Sequence, residues 1–156
     1  MLALRGKPVT ACYAILTSLP PAGCGGVEVT NVNLTDIPGL TVYANGTQET
    51  PVERLVGIWD GQTFRLTQPP SRSSQDSTSP LPVAEPPSTD AKAAVGDPTQ
   101  IARDGAKLRR QGILVLSVGV GADGVDVLLA VADSHSVQAM YASYGSVHIS
   151  GWLQPA

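Results

Sequence analysis

Two cysteines and two histidines are the side chains of this sequence best suited to metal, redox or acid–base chemistry. Cys12 and Cys24 stand far along the chain from His135 and His148, so they do not form the compact ligand pattern of a structural zinc site. Neither histidine has a nearby serine in the tight turn that presents a catalytic nucleophile. The sequence therefore predicts no metal site and no catalytic residue.

The two cysteines are predicted to form a disulfide. The segment between Cys12 and Cys24 contains Pro20, Pro21 and Gly23, and a short turn-rich loop can bring two Cα atoms within disulfide range. In the chain-entropy model this closure contributes on the order of 3 kcal/mol to the free energy of unfolding. The alternative is two unrelated buried thiols in a reducing cytosol. The favoured disulfide implies an oxidising, extracytoplasmic compartment.

Glycines at Gly119-x-Gly121-x-x-Gly124 match a dinucleotide-binding fingerprint in form only. The true fingerprint leads from a strand into a helix, whereas here it joins two predicted strands through a hairpin turn. Among the three aspartates Asp123, Asp126 and Asp133, two are explained by turn and helix-cap geometry alone. No nucleotide or other cofactor is therefore predicted.

Charge and composition narrow the function classes. The formal net charge is −3, and the basic cluster of Lys107, Arg109 and Arg110, with Arg103 one turn earlier, is typical of the solvated face of a helix. We therefore expect no nucleic-acid partner. Charged residues make up only 15% of the chain, with 16 glycines and 13 prolines, which favours an exported β-rich protein. No apolar run is long enough for a transmembrane segment.

The amino terminus resembles a signal peptide only faintly. Arg5 and Lys7 precede the apolar stretch 11–19, which is short and ends at two prolines. We expect that a leader, if the protein is exported, lies upstream of Met1 or has been removed.

Residues 8–69 are predicted to form a small antiparallel β-barrel or sheet, with an OB-like barrel as one form of it. Val27–Val32 alternates apolar and polar residues, Leu40–Tyr43 is a second short strand, and Asn45-Gly46 marks a tight turn. Glu53–Trp59 and Thr63–Thr67 flank Asp60-Gly61, a hairpin signal. The expected core anchors are Trp59, Phe64 and Leu66.

Residues 70–96 are rich in proline and serine, without apolar periodicity. They are predicted to be a disordered linker.

Residues 97–154 are predicted to form an α-β-β-α-β unit, which makes the fold class α+β. Asp97 caps the first helix with Pro98 at its first position, and Gly112 ends it. The strands are Ile113–Gly121, Val125–Ala132 and Val147–Leu153, with a second helix from a Ser134 cap to Gly145. We expect a three-stranded antiparallel sheet in the order 2-1-3, with both helices on one face.

The first strand of this unit is apolar on both faces, so its second face needs a cover. The predicted interaction face comprises Leu114, Leu116, Val118, His148 and Trp152. Its expected cover is the amino-terminal barrel, a protein partner or a second copy of the chain.

Several stretches resemble uncharacterised actinobacterial exported proteins, many of which look like lipoproteins. These stretches are residues 11–21 and 24–26, Val56-Gly57-x-Trp59-Asp60-Gly61, residues 67–70, and the carboxy-terminal segments 144–147 and 153–155. The carboxy-terminal part is also similar to small α+β units in pro-regions of secreted bacterial serine proteases. The resemblance implies export and a disulfide, and it implies no catalytic residue.

Three functions follow as hypotheses. The first is a non-enzymatic exported or cell-envelope module that binds a partner or ligand. The second is a pro-region-like or inhibitor-like domain that acts on a secreted protease. The third is a small hydrolase, which would require His148 to face a serine or aspartate across a cleft.

Overall fold

The computed structural model of this chain describes residues 1–16, 18–72, 81–82 and 96–153. The chain divides into two compact units, Met1–Thr78 and Ser79–Ala156. Strands predominate, with three α-helices in the second unit among the described residues. The predicted α+β class is confirmed.

The first unit is built from short strands. They are β1 (Leu2–Ala3), β2 (Val9–Ile15), β3 (Cys24–Thr30), β4 (Thr41–Val42), β5 (Gln48–Glu49), β6 (Glu53–Arg54), β7 (Gly57–Trp59), β8 (Thr63–Leu66) and β9 (Ser71–Arg72). Seven of them form one sheet in the order β4-β5-β1-β2-β3-β8-β7, and β6 pairs with β9. The predicted sheet is confirmed.

One pairing in this sheet departs from the predicted antiparallel arrangement. Strand β3 lies parallel to β8, with Val29 opposite Phe64. Parallel neighbours need a long crossover connection. Here residues 31–62 supply it, and they include a short 3₁₀ helix at Leu34–Asp36.

Local sequence signals account for the central strands of the first unit. Val27 and Val29 are buried while Glu28 is exposed, as the alternation predicts. The hairpin at Asp60-Gly61 is confirmed, because β7 and β8 pair antiparallel around it. Its turn is stabilised by the Asp60 carboxylate, which accepts backbone N–H hydrogen bonds from the two residues Gln62 and Thr63 at 2.9 and 2.7 Å.

The predicted core of the first unit is largely right. Phe64 and Leu66 are buried, together with Leu2, Val27, Val29, Leu34 and Ile37. Trp59 is only half-buried. The strand predicted over Glu53–Trp59 is two strands in different sheets, because the carbonyl of Val56 between them accepts hydrogen bonds from the backbone of Thr67 and Gln68.

Most of the segment 70–96, predicted to be a disordered linker, lies outside the described residues. Two described pieces of it are strands. Ser71–Arg72 (β9) pairs with β6, and Leu81–Pro82 (β10) pairs antiparallel with β13 (His148–Gly151) of the second unit. Strand β10 is at the edge of its sheet, where the missing N–H of a proline is tolerated. Strands β6 and β13 supply hydrogen-bond partners for these two pieces, and amino-acid composition does not reveal such pairing.

The remaining elements of the second unit follow the predicted order. They are α1 (Pro98–Arg103), α2 (Gly105–Arg110), β11 (Val115–Gly121), β12 (Gly124–Leu129) and α3 (Ser134–Tyr144), followed by β13. The first predicted helix is split into α1 and α2 at Asp104. Gly112 and Gly145 follow α2 and α3 with φ of 81° and 70°, in the left-handed region that ends helices.

The predicted strand order 2-1-3 is wrong. The sheet has the order β10-β13-β12-β11, so the third predicted strand lies beside the second and parallel to it. Strand β12, α3 and β13 thus form a parallel β-α-β unit. The central position belongs to β12, whose Val125, Val127 and Leu129 are buried, whereas Val120 on β11 is 76% exposed.

The helix caps are partly as predicted. Asp97 caps α1 by accepting a hydrogen bond from the Thr99 N–H at 2.9 Å, with Pro98 in the first turn. The cap of α3 is Asp133 rather than the predicted Ser134, since its carboxylate accepts the Ser136 N–H at 2.7 Å. A carboxylate three residues before an unpaired backbone N–H can accept its hydrogen bond. Ser134 cannot be the cap, because it is already the first residue of α3.

The core of the second unit lies between the helices and one face of the sheet. It consists of Ile101, Leu108, Ile113, Val125, Val127, Leu129, Met140, Tyr144, Val147 and Ile149. Burial of this cluster explains why the apolar positions of α2 and α3 recur at helical spacing.

Candidate functional site

The predicted disulfide between Cys12 and Cys24 is confirmed, and it lies near the loop end of the β2–β3 hairpin. The two Cα atoms are 5.6 Å apart. The last register pair before the loop joins Ile15 to Cys24. Beyond it, the Leu16 N–H donates to the Gly23 carbonyl at 3.1 Å, so the hairpin continues past the disulfide.

The loop of this hairpin carries apolar side chains that face water. Ile15, Leu16 and Leu19 are 41%, 60% and 88% exposed. We call these three residues the hairpin tip. No charged residue occurs between Lys7 and Glu28, so β2, the loop and the first half of β3 carry no charge.

Hydrogen bonds inside the loop satisfy several of its backbone N–H groups. The Ser18 N–H donates to the Leu16 carbonyl at 2.8 Å. The Ala22 N–H donates to the Ser18 hydroxyl at 3.0 Å, and that hydroxyl donates to the Pro20 carbonyl at 3.1 Å. Proline at 20 and 21 has no N–H to satisfy.

Glycines let the two strands of the hairpin approach each other near the disulfide. A Cβ on Gly26 would collide with the Ala11 backbone, and one on Gly25 would collide with the ring of Tyr13 at 2.7 Å. Tyr13 therefore packs across Gly25, where a larger residue would displace its ring, and a larger residue at 26 would push the strands apart.

The predicted interaction face is divided by a bulge in β11. The register shifts between Val115 and Ser117, so that Val118 is opposite Val127. Val127 belongs to the buried cluster, and Val118 packs against that cluster on the helix-covered face. The prediction that Val118 shares a face with Leu114 and Leu116 assumed strict alternation, which the extra residue of a bulge interrupts.

The other members of that predicted face are partly buried or exposed. Leu114, Leu116 and Trp152 are half-buried, and His148 is exposed. His148 is opposite Asp126 on the neighbouring strand, and both side chains are exposed. The structure therefore leaves a mixed polar and apolar surface where the sequence indicates an apolar one.

The histidines and carboxylates named in the sequence do not converge. His148 Nε2 lies 3.2 Å from the carbonyl oxygen of Asp123, and His135 is exposed in the first turn of α3. Asp133 caps that helix, and the Ser136 N–H and hydroxyl hold the pKa of its carboxyl below the ordinary value. Among the described residues, no group of three metal-ligating side chains is close enough to hold an ion.

The glycine motif and the basic cluster have structural explanations. Gly121 and Gly124 are directly opposite each other where β11 turns into β12, so the motif closes a hairpin, as predicted. Lys107, Arg109 and Arg110 are all exposed on α2 while Leu108 between them is buried. They form the solvated face of an amphipathic helix.

A shallow depression of about 300 Å³ lies in the first unit, lined by residues 31–33, 36–38 and 67–70. Asn31 fixes one wall, because its side-chain amide donates to the Leu66 carbonyl at 2.8 Å. Asn33 is occupied in the cap of the 3₁₀ helix. These polar groups hold local structure together.

Sequence reasoning missed the hairpin tip. In sequence, the apolar stretch 11–19 resembles a signal peptide only faintly, whereas the structure places residues 11–15 in β2 and leaves Leu16 and Leu19 exposed beyond it. The signal that identifies it is the absence of charge between Lys7 and Glu28 combined with aliphatic residues beside a proline turn. Turn residues predict the loop, and exposure of the leucines requires the structure.

None of the α-helices in the described part of the chain has the length and apolar composition needed to span a bilayer. Neither a protein-family model, nor a curated protein, nor a solved structure matches this chain. The resemblance to exported actinobacterial proteins stays a prediction.

Proposed function

We propose that this chain is a non-enzymatic binding module that works outside the cytosol, secreted or associated with the cell envelope. The observation that carries the proposal is the hairpin tip, where Ile15, Leu16 and Leu19 face water beside a disulfide. Exposed aliphatic side chains grouped at one end of a hairpin mark a site of interaction with a target. The tip is therefore the contact surface of the module.

The disulfide supports the compartment. Stable disulfides form in oxidising environments and are rare where thiol reductants are abundant. Cys12 and Cys24 are half-buried on the two paired strands of a hairpin, as a structural bridge should be.

The roles of the polar side chains support binding over catalysis. Asp60, Asp97 and Asp133 each accept backbone N–H hydrogen bonds in a turn or helix cap. Groups used in this way position backbone. For Asp60 and Asp133 the hydrogen bonds also hold the pKa of the carboxyl below its ordinary value, rather than tuning it for proton transfer.

The strand order of the first unit supports the finer proposal that it is OB-like. Its meander β1-β2-β3 is followed by the parallel neighbour β8 and then by β7. OB folds are partly open Greek-key barrels that bind ligands on their strands and loops. The β2–β3 hairpin is one of the loops available for binding in such a unit.

The test is site-specific photo-crosslinking of the full oxidised chain. A photoreactive amino acid replaces Leu16 in one sample and Val52, which is 59% exposed in the same unit, in the matched control. Each is incubated with the secreted and envelope fractions of the source cells, and adducts are identified by mass spectrometry.

We expect a saturable adduct from position 16 that excess wild-type chain suppresses and excess Leu16→Ser/Leu19→Ser chain does not. Equal labelling from positions 16 and 52, or labelling that wild-type chain fails to suppress, would overturn the proposed function. Free thiols in the chain recovered from its source cells, detected by alkylation before reduction, would overturn the compartment.

A further inference from the structure

The hairpin tip has a composition that distinguishes between classes of target. Its exposed side chains are one isoleucine and two leucines, and no charged residue stands between Lys7 and Glu28. Protein–protein contact sites owe most of their affinity to tryptophan, tyrosine and arginine, with leucine under-represented. An uncharged aliphatic surface, in which the exposed Ser18 hydroxyl is hydrogen-bonded within the loop, is instead suited to hydrocarbon.

The backbone of the loop is also adapted to an environment without water. In lipid, every polar backbone group must find its partner within the protein. The N–H groups of Leu16, Ser18 and Ala22 are all hydrogen-bonded inside the loop. Pro20 and Pro21 remove two further donors. These features lower the desolvation cost of moving the tip out of water.

The shape of the hairpin allows its tip to be inserted ahead of the sheet. The loop continues beyond the last register pair, Ile15 and Cys24, and the disulfide fastens its base. Tyr13, half-buried against Gly25, lies on the strand below the tip. Tyrosine is favoured at the boundary between headgroups and acyl chains.

We infer that the target of the hairpin tip is a lipid surface, into whose acyl boundary Ile15, Leu16 and Leu19 insert. This inference rests on the proposed function, since it names the partner of the same surface. A few aliphatic side chains give only weak, reversible membrane binding. Because the hairpin tip contains no charged side chain, we expect this binding to be independent of lipid charge and of salt concentration.

The experiment is flotation of the oxidised full chain with phosphatidylcholine vesicles, repeated with vesicles that contain phosphatidylglycerol. Leu16→Ser/Leu19→Ser is the test variant. Val42→Ser/Val52→Ser is the matched control, because those valines are 61% and 59% exposed in the same unit. Alkylation before reduction confirms that every variant keeps the disulfide.

We expect the wild type to float with both vesicle types at low and high salt. The test variant should lose at least roughly tenfold in partition coefficient, as expected from removing two partly exposed leucines from hydrocarbon, while the control variant is unchanged. Similar partitioning of test and control variants would overturn the inference. So would binding confined to anionic vesicles and abolished by salt.

The two proposals fail separately. If the wild type ignores vesicles but position 16 gives a saturable protein adduct, the lipid inference is overturned and the binding module stands. If the wild type ignores vesicles and position 16 gives no saturable adduct, both proposals are overturned.

Discussion

Tyr144 links the last helix of the second unit to the junction of its first two helices. Its side chain is 7% exposed, and its hydroxyl donates a hydrogen bond to the Asp104 carboxylate at 2.9 Å. Burial, with the hydrogen bond to Asp104 second, raises the pKa of Tyr144 to about 12. The neutral phenol is therefore the form that the fold stabilises.

This residue predicts a loss of stability at alkaline pH. Because the pKa of Tyr144 is higher in the folded than in the unfolded chain, its contribution is complete below about pH 10 and is lost as pH rises toward about 12. Tyr144→Phe should lower the free energy of unfolding at neutral pH by about 1 kcal/mol. It should also lessen the alkaline decline. Urea unfolding followed by circular dichroism at several pH values measures both effects.

Tyr141→Phe is the control for this prediction, since Tyr141 is half-buried on the same helix and burial raises its pKa as well. An alkaline decline that persists unchanged in Tyr144→Phe would mean that other groups cause it.

Residue-scale prediction from sequence succeeds where one local rule decides. Asp97 before Pro98 has few competing explanations, and the predicted cap is correct. At Asp133-Ser134 two good capping residues are adjacent. Which of the two caps α3 depends on the backbone conformation of the turn after β12, and the sequence alone does not determine that conformation.

At the scale of elements, the bulge in β11 determines which side chains of that strand meet the core. It places Val115 and Val118 against the buried cluster, although strict alternation assigns them to opposite faces. An extra residue changes the face of every position after it. Positions beyond Leu116 therefore lie on the face opposite to the predicted one.

Exposure predicts unequal effects for two valines that lie beyond the bulge on the same face of this strand, Val118 and Val120. Val118→Ala should lower the free energy of unfolding by about 1 kcal/mol, because it removes two methyl groups that are partly buried. Val120→Ala should change it by less than about 0.5 kcal/mol, because Val120 is 76% exposed. Chemical denaturation of both variants measures the difference, and equal effects would contradict the packing of Val118 against the buried cluster.

The elements themselves are well predicted, and their arrangement is not. Apolar periodicity and glycine or proline boundaries locate β11, β12, α3 and β13 to within a few residues. Which strands become neighbours depends on which edges of the sheet are still unpaired when a later strand packs against it. The error in the order of β13 and the unexpected parallel pair β3–β8 both come from this source.

On the scale of the whole molecule, each of the two units contains one of the two tryptophans. Trp59 is in the first unit with the disulfide, and Trp152 is in the second. Single-tryptophan variants, Trp152→Phe and Trp59→Phe, therefore let fluorescence follow the unfolding of each unit by itself.

We predict that replacing both cysteines, Cys12→Ser/Cys24→Ser, lowers the free energy of unfolding reported by Trp59 by about 3 kcal/mol. A short closed loop restricts the unfolded chain, and that restriction is lost. The value reported by Trp152 should stay constant, because the cysteines and Trp152 belong to different units. Equal losses at both tryptophans would show that the chain unfolds as one cooperative body.

The candidate site could be predicted only in part. Cysteine spacing gives the disulfide, and proline and glycine give the loop. Exposure of Leu16 and Leu19 depends on what the rest of the first unit covers, and this is a property of the assembled sheet.

The parallel pair β3–β8 also has a consequence for the order of events in folding. It joins distant parts of the chain, and the hydrogen bond from Asn31 to Leu66 spans 35 positions. Pairing of distant segments is slow because a long loop must close before any contact offsets the entropy lost in closing it. The β2–β3 hairpin forms from local contacts, whereas the sheet around it stays incomplete until Phe64 and Leu66 arrive. A chain emerging amino terminus first thus exposes Val27 and Val29 until the last third of its first unit has emerged, and this interval is when it is most prone to aggregate.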